Sequence, residues 1–160
     1  MTVWTPERKA LALAAVERWR GTPHRDSMAE VGVGIDCIRL VVAILVASGV
    51  TEHFEFPAYD VAEGLHERSE RMLDGFSRCT HSHTADKREP LFGDLAVFRT
   101  GRMSGHCAFV LDNRLAHALA RRQVTVSDYG AFRPGIHRLI RLDAVGLRAQ
   151  PSTLWQNSLD

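Results

Sequence analysis

The apolar positions of this chain change their period along its length, and the changes divide it into helices followed by strands. Thr5-Pro6 has the form of an N-cap and a first helical residue, and helical spacing then runs to about Trp19, where Gly21-Thr22-Pro23 stops it. Residues 24–34 carry Asp, Ser and two glycines and read as a loop. Asp36 offers an N-cap to a second helix, which starts at Cys37 and ends at Ser48-Gly49. Apart from Arg39 this helix is apolar nearly all round, which predicts a buried, central position. It falls short of the roughly 20 apolar residues that a membrane span needs.

Residues 52–56 read as a short extended piece stopped by Pro57. Helical spacing returns over 58–76 through Val61, Leu65, Met72 and Leu73, with a mixed charged face. Residues 77–90 are polar, His-rich and irregular, and predict a surface loop. From Leu91 the period becomes that of strands. Strands are predicted over 94–99, 106–111, 114–119, 123–126 and 136–142, with Asp112-Asn113 as a two-residue hairpin turn. The segment after Ala149, with Pro151 and Trp155, either packs partly or trails off. Helices first and an antiparallel sheet after them give an α+β class. The expectation is one domain over residues 1–160, its Cys37 helix packed on a sheet of about five strands.

Composition narrows the function. With 45% hydrophobic and 24% charged residues the chain is of the globular kind. A net charge of +1, without a basic run interleaved with aromatics, gives no electrostatic case for nucleic acid or an acidic membrane. The apolar run after Glu7-Arg8-Lys9 is interrupted at Glu17, Arg18, Trp19 and Arg20 without a small-residue cleavage site. It reads as an amphipathic helix, not an export signal. The three cysteines, Cys37, Cys79 and Cys107, are odd in number, so a reduced setting is expected and a thiol is available for chemistry.

Cys37 is the thiol placed for it. A sulfur in the first turn of a helix meets unpaired N–H groups and the positive end of the dipole, which favours thiolate. A charged Asp36 opposes that, so a base is still required. If Asp112-Asn113 is a two-residue turn, Leu111 pairs with Arg114 and His117 lies across from Ala108. His106, Ala108, Val110, Leu115 and His117 then share one face, with the two histidines diagonal neighbours roughly 7–8 Å apart at Cα. A three-residue turn would put them on opposite faces. Cys107, Phe109, Leu111, Ala116 and Ala118 would form the other face, also largely apolar, and either face can support the Cys37 helix. A thiol at a helix start, a histidine on the sheet and a polar group behind it make a nucleophile, base and orienter.

Four stretches carry a family resemblance: Trp19-Arg-Gly-Thr-Pro-His24, Gly34-Ile-Asp-Cys37, Phe92-Gly-Asp-Leu-Ala-Val-Phe98, and Gly105-His106 through His117-Ala118. From about Trp19 to Ala118 the chain resembles the NlpC-like cysteine peptidases, and more closely their phage-tail and prophage members. The resemblance implies a papain-like fold and hydrolysis of amide bonds in bacterial cell-wall peptides, typically between D-glutamate and a diamino acid. It assigns Cys37 as nucleophile, His106 as general base and then acid, and His117 as the polar third member, with no cofactor. Phage-tail proteins become candidate partners, and the expected setting is the cytoplasm or a virion tail.

Two positions depart from the family pattern. Ile38-Arg39 stands where a small pair usually follows the cysteine, and Arg39 is placed either to bind a substrate carboxylate or to face solvent. His24 stands where a tyrosine often supplies a donor near the oxyanion, a role an imidazole N–H can take over. His24, Asp36 and Arg39 are therefore the oxyanion and substrate-binding candidates. The altered pair and the missing tyrosine also motivate a second class of function, a phage-tail structural module on a retired peptidase fold. Cys79, His81 and His83 are of metal-ligand type, with Asp86 or Glu89 as a fourth. Their alternate spacing in a loop, with no second cluster, reads as a polar loop without metal.

Overall fold

The computed structural model describes residues 2–51, 82–100 and 103–143. The extended piece expected over 52–56, the helix over 58–76 and the tail after Ala149 lie outside the described residues, as do Cys79 and His81. Helix α1 spans Pro6–Trp19, with Thr5 Oγ1 accepting from the Arg8 N–H at 3.3 Å. Helix α2 spans Cys37–Ala47 and is capped by Asp36, whose carboxylate accepts from the Arg39 N–H. Ile38, Leu40, Val41, Ile44 and Leu45 are buried around α2, as its all-round apolar pattern requires. Each such side chain contributes about 1.5–3 kcal/mol by leaving water.

Two short strands, β1 (Ala29–Glu30) and β2 (Gly34–Ile35), pair antiparallel just ahead of α2. The stretch expected to be an open loop is thus partly a ribbon, too short to show a period. The main sheet comprises β3 (Ser82–Ala85), β4 (Leu95–Thr100), β5 (Met103–Leu111), β6 (Arg114–Ala118), β7 (Val124–Asp128) and β8 (Ile136–Leu142). Their spatial order is β3-β8-β4-β5-β6-β7, every pair antiparallel. Among the described residues the main sheet has six strands in place of the five expected, because part of the predicted polar loop, Ser82–Ala85, pairs with β8 at the sheet edge. A short helix α3 (Tyr129–Phe132) and a 3-10 turn over Arg133–Gly135 join β7 to β8.

The register across the β5–β6 turn is Leu111 with Arg114, Val110 with Leu115 and Phe109 with Ala116. This is the two-residue turn, with Asp112 at φ 49°, a left-handed value that aspartate tolerates better than most residues. Alternation then sorts the sheet into two faces. Leu95, Val97, Cys107, Phe109, Ala116 and Ala118 pack with α1 and α2 in the larger core. Ala96, Phe98, Ala108, Val110, Leu115 and Leu139 pack with Tyr129 in a second cluster, against which Phe132 of α3 rests.

The Phe92-Gly93-Asp94 stretch ties the N-terminus to this sheet. The Trp4 indole stands edge-on to Phe92 and Phe109, with centroids 5.2 and 5.4 Å away. A Cβ on Gly93, at φ +88°, would overlap that indole, so only glycine fits. Asp94 is 1% exposed and accepts from the Leu91 N–H and from Nε and Nη2 of Arg141 at 2.8–2.9 Å. Removing the carboxylate strands a guanidinium that is about a quarter exposed and so partly rehydrates. Asp94→Ala should therefore cost about 2 kcal/mol, less than a fully buried pair would, read as a lower urea midpoint at unchanged m-value.

Candidate active site

Cys37 opens α2 as a buried residue, 5% exposed overall. The Asp36 carboxylate beside it is fully buried, and Arg39 offsets its charge. Asp36 Oδ2 accepts from Arg39 Nη1 at 2.6 Å and from the Ser27 N–H at 2.9 Å, while Oδ1 accepts from the Arg39 N–H at 2.8 Å. The negative charge next to the thiol is thereby paired within the first helical turn. The Arg39 side chain is 13% exposed, and its Nη1 lies on Asp36. Asp36 is engaged on both oxygens, so it ties the 27–39 region together.

On the sheet, three polar side chains form a diagonal across adjacent strands. His106 Nε2 lies 3.1 Å from His117 Nδ1, and His117 Nε2 lies 2.8 Å from Ser127 Oγ. The β6–β7 register sets His117 opposite Thr125, so Ser127, two residues on, shares its face. His117 is fully buried. Phe132 stands edge-on to the His117 ring at 5.1 Å, and Phe98 lies 5.4 Å from the His106 ring. Asp128 holds Phe132 there by capping α3, its Oδ2 accepting from the Ala131 N–H at 2.9 Å.

The α2 helix packs on the opposite, Cys107 face of the sheet. Cys37 therefore meets β5 at Cys107, on its own face, and also at His106, just where the β4–β5 register shifts between Phe98 and Arg99. The Cys37 thiol is held well below its ordinary range. The Cys107 side chain hydrogen-bonds to it, burial works against this, and His106 adds a hydrogen bond and positive charge, with the Cys107 backbone N–H helping. Because His106 Nε2 is taken by His117, its Nδ1 is the nitrogen that remains for the sulfur. The His117 pKa is pushed down to about 4, first by burial and then by the charge of His106, with the Cys37 thiolate pulling weakly the other way. His117 is thus neutral at neutral pH.

Of the residues singled out in the sequence, Cys37, His106 and His117 come together. His24 lies alongside: its backbone bridges to Ile35, two residues before Cys37, and its Nε2 is 4.0 Å from Asp26 Oδ1. His83 belongs to β3, with Nδ1 2.7 Å from Asp143 Oδ1, and Asp86 pairs with Arg88. Among the described residues no group of three His, Cys, Asp or Glu side chains converges as a metal site would. Two residues of the cluster escaped the sequence reading. Cys107 read only as core, and Ser127 fell one residue past the strand expected over 123–126, although period two from Thr125 leads to it.

In sequence comparison no family model and no curated protein matches the chain. Solved structures do. An NLP/P60-family protein similar to lipoprotein, from Staphylococcus aureus subsp. aureus Mu50, superposes with a TM-score of 0.62 at 17% identity, covering 87% of this chain and 42% of its own. The peptidoglycan hydrolase RipB of Mycobacterium tuberculosis gives 0.57 at 18% identity, covering 85% of this chain and 65% of its own. RipD of the same organism, a non-catalytic NlpC/p60 domain protein, gives 0.57 at 14%, covering 88% of this chain and all of its own. The chain spans under half the length of the staphylococcal protein. At these identities the likeness establishes the architecture: the chain has the α+β, papain-like fold of the NlpC/P60 proteins.

Proposed function

We propose that this protein is a thiol-dependent amide hydrolase acting on peptidoglycan stem peptides, with Cys37 as nucleophile, His106 as base and acid, and His117 as the polar third member. The observation that carries the reading is the Cys37 thiol, pushed toward thiolate against its burial and hydrogen-bonded to a histidine that a second, neutral histidine backs. In the reaction the Cys37 sulfur attacks the peptide carbonyl, and the Cys37 backbone N–H at the α2 start, with the His24 imidazole alongside, stabilises the oxyanion. His106 delivers the thiol proton to the leaving amine. It then takes a proton from water, which hydrolyses the thioester and frees the thiol. Cell-wall peptide as substrate rests on the fold shared with peptidoglycan hydrolases such as RipB. A phage-tail or prophage setting rests on the motif resemblance.

A second reading, a peptidoglycan-binding or tail-assembly module without turnover, has specific support. RipD shares the fold and is non-catalytic, and Arg39, where the family pattern has a small residue, lies across Asp36 beside the thiol. Incubation with purified peptidoglycan separates the two. The hydrolase releases new free amines and stem-peptide fragments visible by mass spectrometry, whereas a binding module sediments with sacculi and releases none.

A further inference from the structure

The polar diagonal continues past the pair of histidines, and its last member, Ser127, takes no part in the proposed bond-making and proton transfers. Neutral His117 carries one N–H and has two partners, His106 Nε2 at 3.1 Å and Ser127 Oγ at 2.8 Å. Only one tautomer suits a base at His106. If the hydrogen were on His117 Nδ1 it would point at His106 Nε2, and the single hydrogen of a neutral His106 would sit on Nδ1, facing the thiol. Nδ1 could then accept no proton from Cys37. With the hydrogen on His117 Nε2, His117 Nδ1 accepts from the His106 Nε2–H, and His106 Nδ1 is open toward the sulfur.

We propose that Ser127 is a positioning residue that stabilises this tautomer, its hydroxyl oxygen accepting the His117 Nε2–H that would otherwise be left buried without a partner. This rests on the hydrolase reading for its consequence in turnover, but not for the tautomer itself. Serine carries two lone pairs and a rotatable hydrogen, so half-buried Ser127 accepts from His117 while turning its own hydrogen outward. Water is a poor substitute at that nitrogen, since His117 is fully buried with Phe132 against its ring. Without the hydroxyl, a buried N–H would be orphaned in the productive tautomer. The other tautomer would leave only a lone pair unmet, the less costly fault. Loss of Ser127 thus tips His117 toward the form that disables His106, two residues removed from the thiol.

The test reads the tautomer directly. In 15N-labelled protein at neutral pH, the ring-nitrogen shifts of His117 should report hydrogen on Nε2. In Ser127→Val, which removes the acceptor and fills the space, they should move toward the Nδ1 form, and Ser127→Thr should restore the wild-type pattern. On a stem peptide cleaved by the wild type, Ser127→Val should lose roughly 10- to 100-fold in kcat with KM unchanged, and Ser127→Thr should stay within about threefold. Wild-type His117 with its hydrogen on Nδ1, or a Ser127→Val protein with unchanged ring shifts, overturns the proposal. Expected ring shifts in a protein that cleaves nothing would uphold the tautomer selection while sinking the hydrolase reading.

Discussion

Replacing His106 by alanine should cut the proposed stem-peptide turnover roughly 10³- to 10⁴-fold, and Cys37→Ala should abolish it, with both proteins still folded. The two losses have different origins, which thiol labelling separates. In the wild type, Cys107 and His106 hold the Cys37 thiol well below its usual range, so iodoacetamide labelling should remain fast on the acid side of an ordinary cysteine's midpoint. His106→Ala removes a hydrogen bond, a positive charge and the proton carrier together, so the labelling midpoint rises and catalysis fails. Cys107→Ala also raises the midpoint, because its side chain gives the largest stabilisation of the thiolate, yet it leaves the proton carrier in place. Its turnover should persist, with the acid limb of the pH–rate profile shifted upward. If Cys37 labels like a free thiol in the wild type and His106→Ala changes nothing, the pair is a packing contact and not a nucleophile and base.

Much of this arrangement is legible in the residues because it depends on local rules. Asp36 ahead of an apolar run fixes where α2 begins, and Asp112-Asn113 fixes the hairpin register, so the His106–His117 diagonal follows from counting. What was not legible depends on partners distant in the chain. Ser82–Ala85 is polar, with His83 and Thr84 exposed, and becomes a strand because β8 offers its backbone. Alternation correctly turns Cys107 away from His106. Both sheet faces are apolar, however, so alternation cannot say that α2 takes the Cys107 face and brings Cys37 against it. The Arg39–Asp36 pair is another such case: helical spacing permits it, but the full burial of Asp36 under a largely covered Arg39 comes from the tertiary packing.

Acid should weaken the fold through His117, and the sign follows from its depressed pKa. In the unfolded chain an imidazole takes a proton near pH 6.5, whereas folded His117 resists protonation down to about pH 4. Between those values the unfolded state binds the extra proton, so stability is intact above pH 6.5 and falls as pH drops toward 4. The full separation corresponds to about 3 kcal/mol, most of which should be lost between pH 7.5 and pH 4.5. Other groups titrate over the same range, so the measurement is a difference. Urea unfolding at both pH values is compared between the wild type and His117→Gln, which keeps a polar side chain but cannot titrate. The wild type should lose about 2–3 kcal/mol more than the variant. Equal losses would mean that His117 already takes up a proton in the folded state near pH 6.5. Once protonated it cannot accept from the His106 Nε2–H, so the neutral partner that the proposed base and the Ser127 hydroxyl require would be lost below that pH instead of persisting toward pH 4.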